Sequence, residues 1–499
     1  MLDQFDKRLD PTFAQADQAV LLKRLRGVLG DEGLITQTEA LHAYESDALA
    51  AYRSLPGVVA LPRTAAEVCS ILAICSELGV PVVARGAGTG LSGGALPFPG
   101  CVLLSLARLN RILEIDADAR TARVQPGVRN LAISEAAAPF GLFYAPDPSS
   151  QLACSIGGNV AENAGGVHCL KYGLTVHNIQ RLEVATIDGE VLIIGGEALD
   201  APGFDLLALM TGSEGLLGVV TEVTVKLLPM PTHARVLLVA FADIRHAGEA
   251  VAAIIASGII PAGLEMMDHL ALTAAEAHAH AGYPTDAAAV LLCEIDGAAE
   301  DVDEELARVA AVCTAAGATH VRLARDDAER KLFWAGRKAA FPAMGRLAPD
   351  YYCIDGTIPR RRLPDVLVEI EALSTAHGLP VANVFHAGDG NLHPLILYDA
   401  NIEGQTERAE VLGGAILELC VKVGGTITGE HGVGREKINQ MCVQFSTAEI
   451  ETFAAIKAAF DPRGLLNPGK AIPTLARCAE FGAMHVHRGE LPFAHLDRL

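Results

Sequence analysis

Arg85-Gly86-Ala87-Gly88-Thr89-Gly90-Leu91-Ser92-Gly93-Gly94 is the stretch whose reading decides the fold. Half of it is glycine, which lets the backbone take positive φ and brings successive N–H groups close to an anion. Residues 88–93 fit the G-x-G-x-x-G pattern. That pattern has its Rossmann meaning only when a helix opens inside it and faces a pyrophosphate. Here the chain continues with Ala95-Leu96-Pro97-Phe98-Pro99-Gly100, which cannot carry a helix, and then a strand-like run over 101–106. The stretch therefore reads as a phosphate-cradling loop of another architecture.

Upstream, residues 1–53 read as a helical entry segment, with Leu21, Leu22, Leu25, Val28 and Leu29 at helical spacing. A β-α-β unit follows. Its first strand spans 58–61, Thr64 and Glu67 form a capping box, Gly79 stops the helix, and the strand 80–84 delivers the loop. Downstream come strands near 101–106, 111–116 and 120–125 and a helix over 129–137. Pro146-Asp147-Pro148-Ser149-Ser150 then leads into a second small-residue cluster, Ser155-Ile156-Gly157-Gly158-Asn159-Val160-Ala161-Glu162-Asn163-Ala164-Gly165-Gly166. This cluster also suits close backbone approach to a flat or phosphorylated ligand, although glycines packing helix on helix would look similar. Asp188-Gly189 marks a hairpin, and Thr211-Gly212-Ser213-Glu214-Gly215 precedes a strand over 219–228.

In that order, these motifs resemble the FAD-binding domain of the vanillyl-alcohol oxidase/p-cresol methylhydroxylase (PCMH) flavoprotein family. The resemblance implies a flavin held by Gly86, Ala87, Gly88, Thr89, Gly90, Leu91 and Ser92. It also implies contacts from Pro146, Ser155, Gly158, Asn159, Asn163, Gly165 and Gly166, with Val220 near the ring system and Asn467 reaching back from the C-terminal segment. Some relatives tether FAD through a histidine. The glycine loop has none, so the expectation is non-covalent FAD.

From about residue 231 the texture changes to repeated β-α-β units, with strands near 234–241, 263–267, 288–295, 320–323 and 381–385. Split units of this kind suit a ferredoxin-like antiparallel sheet with helices on one face. The expected class is α+β: a two-subdomain PCMH-type FAD-binding domain over 54–230, then a ferredoxin-like cap over 231–425. A C-terminal segment over 426–470 returns to the flavin, and a tail over 471–499 is a candidate docking element.

The cap carries the sharpest constellation, His386-Ala387-Gly388-Asp389-Gly390-Asn391-Leu392-His393. Asp389-Gly390 reads as a two-residue type I′ turn, which would set His386 directly opposite His393, with Cβ atoms about 4.5–5.5 Å apart. Two imidazoles so placed could bind one cation. Gly429-Glu430-His431-Gly432 offers a carboxylate as third ligand, and two histidines plus a carboxylate suit Zn²⁺, Fe²⁺ or Mn²⁺. His278 and His280, on an alanine-rich helical run, and His485 and His487 in the tail read as surface or packing residues.

Over nearly its whole length the chain resembles the FAD-linked 2-hydroxy-acid dehydrogenases, whose members oxidise D-lactate, D-2-hydroxyglutarate or glycolate. Residues 350–360 and 477–487 are similar to bacterial glycolate oxidases. The resemblance implies that Arg337 clamps the substrate carboxylate and that His431 is the general base. Where 2-hydroxyglutarate enzymes place a lysine, Cys353 stands, which favours a small monocarboxylate such as glycolate. A D-lactate dehydrogenase and a non-catalytic flavin-binding subunit are the competing readings.

With 499 residues and a net charge of −21, the chain is too acidic for a nucleic-acid partner, and an anionic substrate needs a locally basic pocket. The acidic N-terminus lacks an apolar run, no stretch is long enough to span a bilayer, and any membrane contact would be peripheral. The eleven cysteines include no C-x-x-C, so neither an iron–sulfur cluster nor a disulfide is expected, and all read as reduced cytoplasmic thiols. Electrons must then leave for oxygen, a soluble carrier or a partner. The resemblance implies a second flavin subunit and an iron–sulfur subunit.

Overall fold

The computed structural model describes residues 17–198, 203–474 and 478. These form two compact units: one drawn from Met1–Ala164, Leu174–Pro229 and Glu430–Leu499, the other from Gly165–Gly173 and Met230–Gly429. Of the expected helical entry segment over 1–53, residues 17–53 are described. Asp17 caps helix Gln18–Leu29, whose Leu21 and Leu25 are buried in the first unit's core, and Leu34–Ile35 adds an edge strand to its sheet. Helical spacing alone cannot show which neighbour the apolar face will meet.

That sheet runs Leu34–Ile35, Val58–Ala60, Val102–Ser105, Val82–Arg85. The last three strands are parallel, and Val58, Val59 and Ala60 are all buried, as a strand covered on both faces requires. Helix Ala65–Leu78 makes the crossover, opened by the Thr64–Glu67 capping box and closed by Gly79 at φ 68°. Its buried Val68, Ile71 and Leu72 each contribute about 1.5–3 kcal/mol of apolar burial. Residues 86–101 contain no helix, so the glycine loop joins two parallel strands without the Rossmann element. An antiparallel five-stranded sheet follows in the same unit, ordered Ile112–Asp116, Thr121–Val124, Val219–Lys226, Ile179–Ala185, Val191–Gly195.

The second unit is built on a seven-stranded sheet whose neighbouring strands are all antiparallel. From one edge the strands are Ala318–Leu323, His233–Phe241, Ala289–Gly297, Gly263–Asp268, Val381–Phe385, Pro394–Tyr398 and Asp350–Cys353. The first four, taken in chain order, stand as four-one-three-two, the ferredoxin-like arrangement. Strand Gly263–Asp268 is buried at every position and lies in the middle of this sheet.

One expectation about the cysteines fails. Cys442 and Cys478 form a disulfide, with Cα atoms 5.3 Å apart across 36 residues of sequence. Helix Ile438–Gln444 brings Cys442 to Cys478 in a small cluster with Ile450 and Phe445, a proximity no local spacing announces. The other nine are free thiols, and all but Cys69 are buried. Most of the tail over 471–499, with His485 and His487, lies outside the described residues.

Candidate active site

In the first unit, strand Val82–Arg85 delivers the glycine loop, with Gly88 at φ 73° and Gly93 at φ 75°. A Cβ on Gly86 would stand 2.3 Å from Ser155 Oγ, so the loop backs directly onto the second small-residue cluster. Ser92 Oγ and Ser155 Oγ are buried and make no hydrogen bond among the described residues. Two unsatisfied hydroxyls beside a loop that turns on Gly88 and Gly93 at positive φ are what a phosphate-bearing cofactor would complete. The residues present thus fit FAD.

Not every expected contact offers its side chain. Asn159 Oδ1 accepts from Asn130 Nδ2 at 3.1 Å, and the same nitrogen donates to Pro146 O at 3.0 Å. Asn163 takes φ 53° at the end of helix Ile156–Glu162, and its Oδ1 accepts from Val176 N at 2.9 Å. Both asparagines hold the cradle's backbone. Gly165 and Gly166 fall in the second unit. Val220 is buried in strand Val219–Lys226.

The C-terminal segment does return to the loop. Leu466 bridges Val82, and Asn467 Nδ2 donates to Gly94 O at 3.0 Å and to Glu214 O at 2.7 Å. Lys470 Nζ donates to Gly94 O, Leu96 O and Asn467 Oδ1, and burial pulls its pKa down to about 8. Residues 432–436 lie on the same loop, with Arg435 N and Glu436 N both donating to Ser92 O. Their turn is held by Glu214, whose two carboxylate oxygens accept from Val433 N and Gly434 N, each at 2.7 Å. Burial raises the Glu214 carboxyl, and these two amides oppose the rise without cancelling it. The neighbouring Glu162 is raised well above the usual range, by desolvation first and by Glu214's charge second. At the head of this turn, His431 Nε2 stands 3.9 Å from Glu430 Oε1.

In the second unit the histidine hairpin forms, with a different register. His386 pairs with Asn391, and Val384 N donates to His393 O at 3.4 Å, continuing the alignment of Asn383 with Pro394. The loop is the four residues 387–390, so His386 and His393 are diagonal neighbours instead of an opposed pair. Asp389 Oδ1 accepts from Asn391 N and Gly390 takes φ 85°, closing a wider turn than the dipeptide suggested. Side chains alternate with period two, so a two-residue shift leaves both imidazoles on one face. Their ring centroids are 5.0 Å apart, perpendicular, and both residues are buried.

Strand Gly263–Asp268 pairs with the histidine strand, Met266 opposite Phe385, so Glu265 falls beside His386. Its Oε1 is 2.8 Å from His386 Nδ1, and its Oε2 is 2.6 Å from Arg337 Nη2. All three are buried, and Arg337, from helix Asp327–Ala343, is only 1% exposed, which excludes a solvated-face role. Desolvation pushes the Glu265 carboxyl up, but His386 and Arg337 outweigh it and hold the group below its ordinary value. The Arg337–Glu265 pair is close but off-line: Arg337 Nε and Nη2 make no hydrogen bond among the described residues. A buried guanidinium with open donors is suited to a carboxylate ligand. Cys353 Sγ lies within 4.8 Å of a His393 ring nitrogen, a soft donor beside the imidazole pair.

His386 Nδ1 faces a carboxylate, which favours the tautomer that leaves Nε2 as a ligand, so the imidazole pair fits a divalent cation. Residues 426–429 are fastened by Asp355, which accepts from Thr428 Oγ1 at 2.6 Å and from Gly429 N at 3.1 Å. Gly429 is obligatory, since an added Cβ would stand 2.4 Å from Asn391 Oδ1. Glu430 and His431 follow it in the chain and belong to the first unit.

Sequence reasoning passed over Glu265, Glu214 and Asp355. A signal was present for the first, because Gly-Leu-Glu-Met-Met-Asp is an apolar buried strand interrupted by a carboxylate. Glu294 gives the same signal and is satisfied by Trp334 Nε1, Arg330 Nη1 and His168 Nε2. His278 and His280 are exposed, as expected.

A glycine-walled cradle in one unit and a buried imidazole-guanidinium cluster on an antiparallel sheet in the other define a flavin-dependent oxidoreductase architecture. Residues 56–195 match the FAD binding domain family, and residues 230–471 match the C-terminal domain of FAD linked oxidases. The chain belongs to the FAD-linked oxidases. It is 65% identical over 494 residues to the glycolate oxidase subunit GlcD of Escherichia coli strain K12, covering 99% of each chain. Identity to the glycolate oxidase subunit GlcD of Bacillus subtilis strain 168 is 41% over 456 residues, covering 91% of this chain and 97% of that one. The solved structure of p-cresol methylhydroxylase with substrate bound shares the fold, with a TM-score of 0.77 at 18% identity, covering 91% of this chain and 96% of that one. The resemblance drawn from the motifs is thereby borne out.

Proposed function

We propose that this chain oxidises glycolate, and D-lactate as a second substrate, to the corresponding 2-oxo acid. The observation that carries the reading is Arg337, a buried guanidinium with open donors beside an imidazole pair. The names of the two bacterial relatives support glycolate as the hydroxy acid. Arg337 binds the substrate carboxylate, and His431 takes the hydroxyl proton on a ring nitrogen. The cradle of residues 86–92, with Ser155, Gly158 and Asn467, holds FAD non-covalently, and the flavin supplies an acceptor for the α-hydrogen as hydride. His386, His393 and Glu430 would hold a divalent metal, with zinc first and iron or manganese as alternatives. Its contribution would be Lewis-acid polarisation of the hydroxyl.

Electrons leave through a partner complex with a second flavin subunit and an iron–sulfur subunit, the tail over 471–499 serving as the docking element. Support comes from the relatives' description as subunits. Among the described residues no helix is long and apolar enough to cross a membrane. In this reading the chain works in the cytoplasm and meets the inner membrane only through its partners. Truncation after Cys478, which keeps the Cys442 disulfide, should abolish co-purification with the partner while sparing flavin content.

The deciding experiment is an anaerobic titration of the purified flavoprotein with glycolate, D-lactate, L-lactate and D-2-hydroxyglutarate. Flavin bleaching by glycolate at the lowest concentration is expected. Bleaching by D-2-hydroxyglutarate alone, or by none of the four, refutes the assignment.

A further inference from the structure

Glu265 occupies a position that the carboxylate clamp and the imidazole ligands do not by themselves explain. It is an ionised side chain, 1% exposed, in the centre of a seven-stranded sheet, among Leu264, Met266 and Met267. A buried carboxylate is costly unless both oxygens are used. Here one faces His386 Nδ1 at 2.8 Å and the other faces Arg337 Nη2 at 2.6 Å. Register sets the first contact: continuing the pairing of Met266 with Phe385 by one residue places 265 opposite 386. Helix Asp327–Ala343 sets the second.

We propose that Glu265 is the positioning residue that couples the two ends of substrate recognition, orienting His386 as a metal ligand and Arg337 as the carboxylate clamp. This rests on the metal and carboxylate roles proposed above. By accepting the Nδ1 proton, Glu265 leaves the His386 Nε2 lone pair for a metal and increases its basicity. By lying beside Arg337 at Nη2, it lowers the cost of the buried cation and still leaves Nε open for substrate. Losing Glu265 would therefore weaken two ligands with one substitution.

Two variants separate these effects. In E265Q the amide oxygen still accepts from His386, while the amide nitrogen meets Arg337 donor against donor. In E265L both partners lose their acceptor. Zinc titration of the chelator-treated, FAD-loaded full chain should show a loss of roughly 10–100-fold for E265L and a smaller loss for E265Q, whose neutral amide no longer raises the basicity of His386. KM for glycolate should rise roughly tenfold or more in both, with the visible flavin absorbance retained. In an R337M background, E265Q should add nothing further to KM, a non-additivity that general structural damage would not produce. Unchanged KM in E265Q overturns the coupling to Arg337, and E265Q reports on it even if E265L fails to fold. Zinc affinity equal to wild type in E265L overturns the role toward His386. A wild-type chain that takes up no zinc overturns the metal assignment, and Glu265's role toward His386 with it.

Discussion

Glu214 reaches across 219 residues of sequence to accept the Val433 amide at 2.7 Å, and its second oxygen takes the Gly434 amide at the same distance. One carboxylate thereby shapes the turn that begins with Glu430 and His431. Glu214→Gln keeps one acceptor and turns the other into a donor facing an N–H. The variant should lose about 1–3 kcal/mol of stability, read from the denaturant midpoint, with the loss persisting in the absence of substrate. A midpoint equal to wild type would show that the turn holds itself.

Binding and chemistry separate at Arg337 and His431. Arg337→Met removes a charge-assisted contact worth about 1.5–3 kcal/mol, so KM for glycolate should rise roughly ten- to a hundredfold. His431→Asn should instead lower kcat at every pH. Steady-state kinetics of the two variants under one set of conditions checks both, and an unchanged KM in Arg337→Met places the clamp elsewhere.

Metal content should depend on side chains that the flavin does not need. His386→Ala, His393→Ala and Glu430→Gln are each expected to lose bound divalent metal while keeping wild-type flavin absorbance. Elemental analysis after dialysis is the measurement, and full occupancy in all three variants refutes the ligand set. A fourth variant, Cys353→Ser, tests whether the sulfur near His393 is a ligand: unaltered metal content assigns it a packing role.

Lys470 gives a pH dependence with a definite sign. Burial lowers its pKa from the ordinary 10.5 to about 8 in the folded chain. Between those values the unfolded chain binds the proton and the folded chain does not, so this group's contribution to stability rises with pH. Below about 8 both states are protonated, and the buried charge is a constant cost. The stability of wild type relative to Lys470→Met should therefore climb by about 2 kcal/mol between pH 8 and pH 10. Taking the difference between the two proteins cancels the opposing titration of the buried thiols other than Cys101, whose thiol burial pushes up and the Lys470 charge pulls down, and which Cys101→Ala in both backgrounds removes. A difference that stays flat over that window would mean Lys470 is not desolvated.

Much of the framework was legible because its causes are local. The Thr64–Glu67 box and the Gly79 stop act within a few residues, and both appear as read. The prolines after the glycine loop excluded the Rossmann helix, and none forms there. The histidine hairpin was legible in face and not in register: Asp389-Gly390 suggested a two-residue turn, and the strands pair two residues closer to Val381 and Pro394. Period-two alternation kept the imidazoles together despite the error. Cys442–Cys478 was not legible, since its partners meet only through tertiary packing.

What the chain determined without its tertiary structure is where backbone freedom, capping and alternation must occur, because those depend on each residue and its near neighbours. Glycine at 79, which ends its helix at positive φ, and His386 and His393 on one face, belong to that class. What the tertiary structure decided is which charges are compensated. Glu265 lies 121 residues from His386, and Glu214 lies 219 residues from Val433. Burying a carboxylate demands a partner, and no local rule says which distant segment will supply it. Sheet order and helix packing make that choice, and with it they set the orientation of the residues proposed to bind metal and substrate.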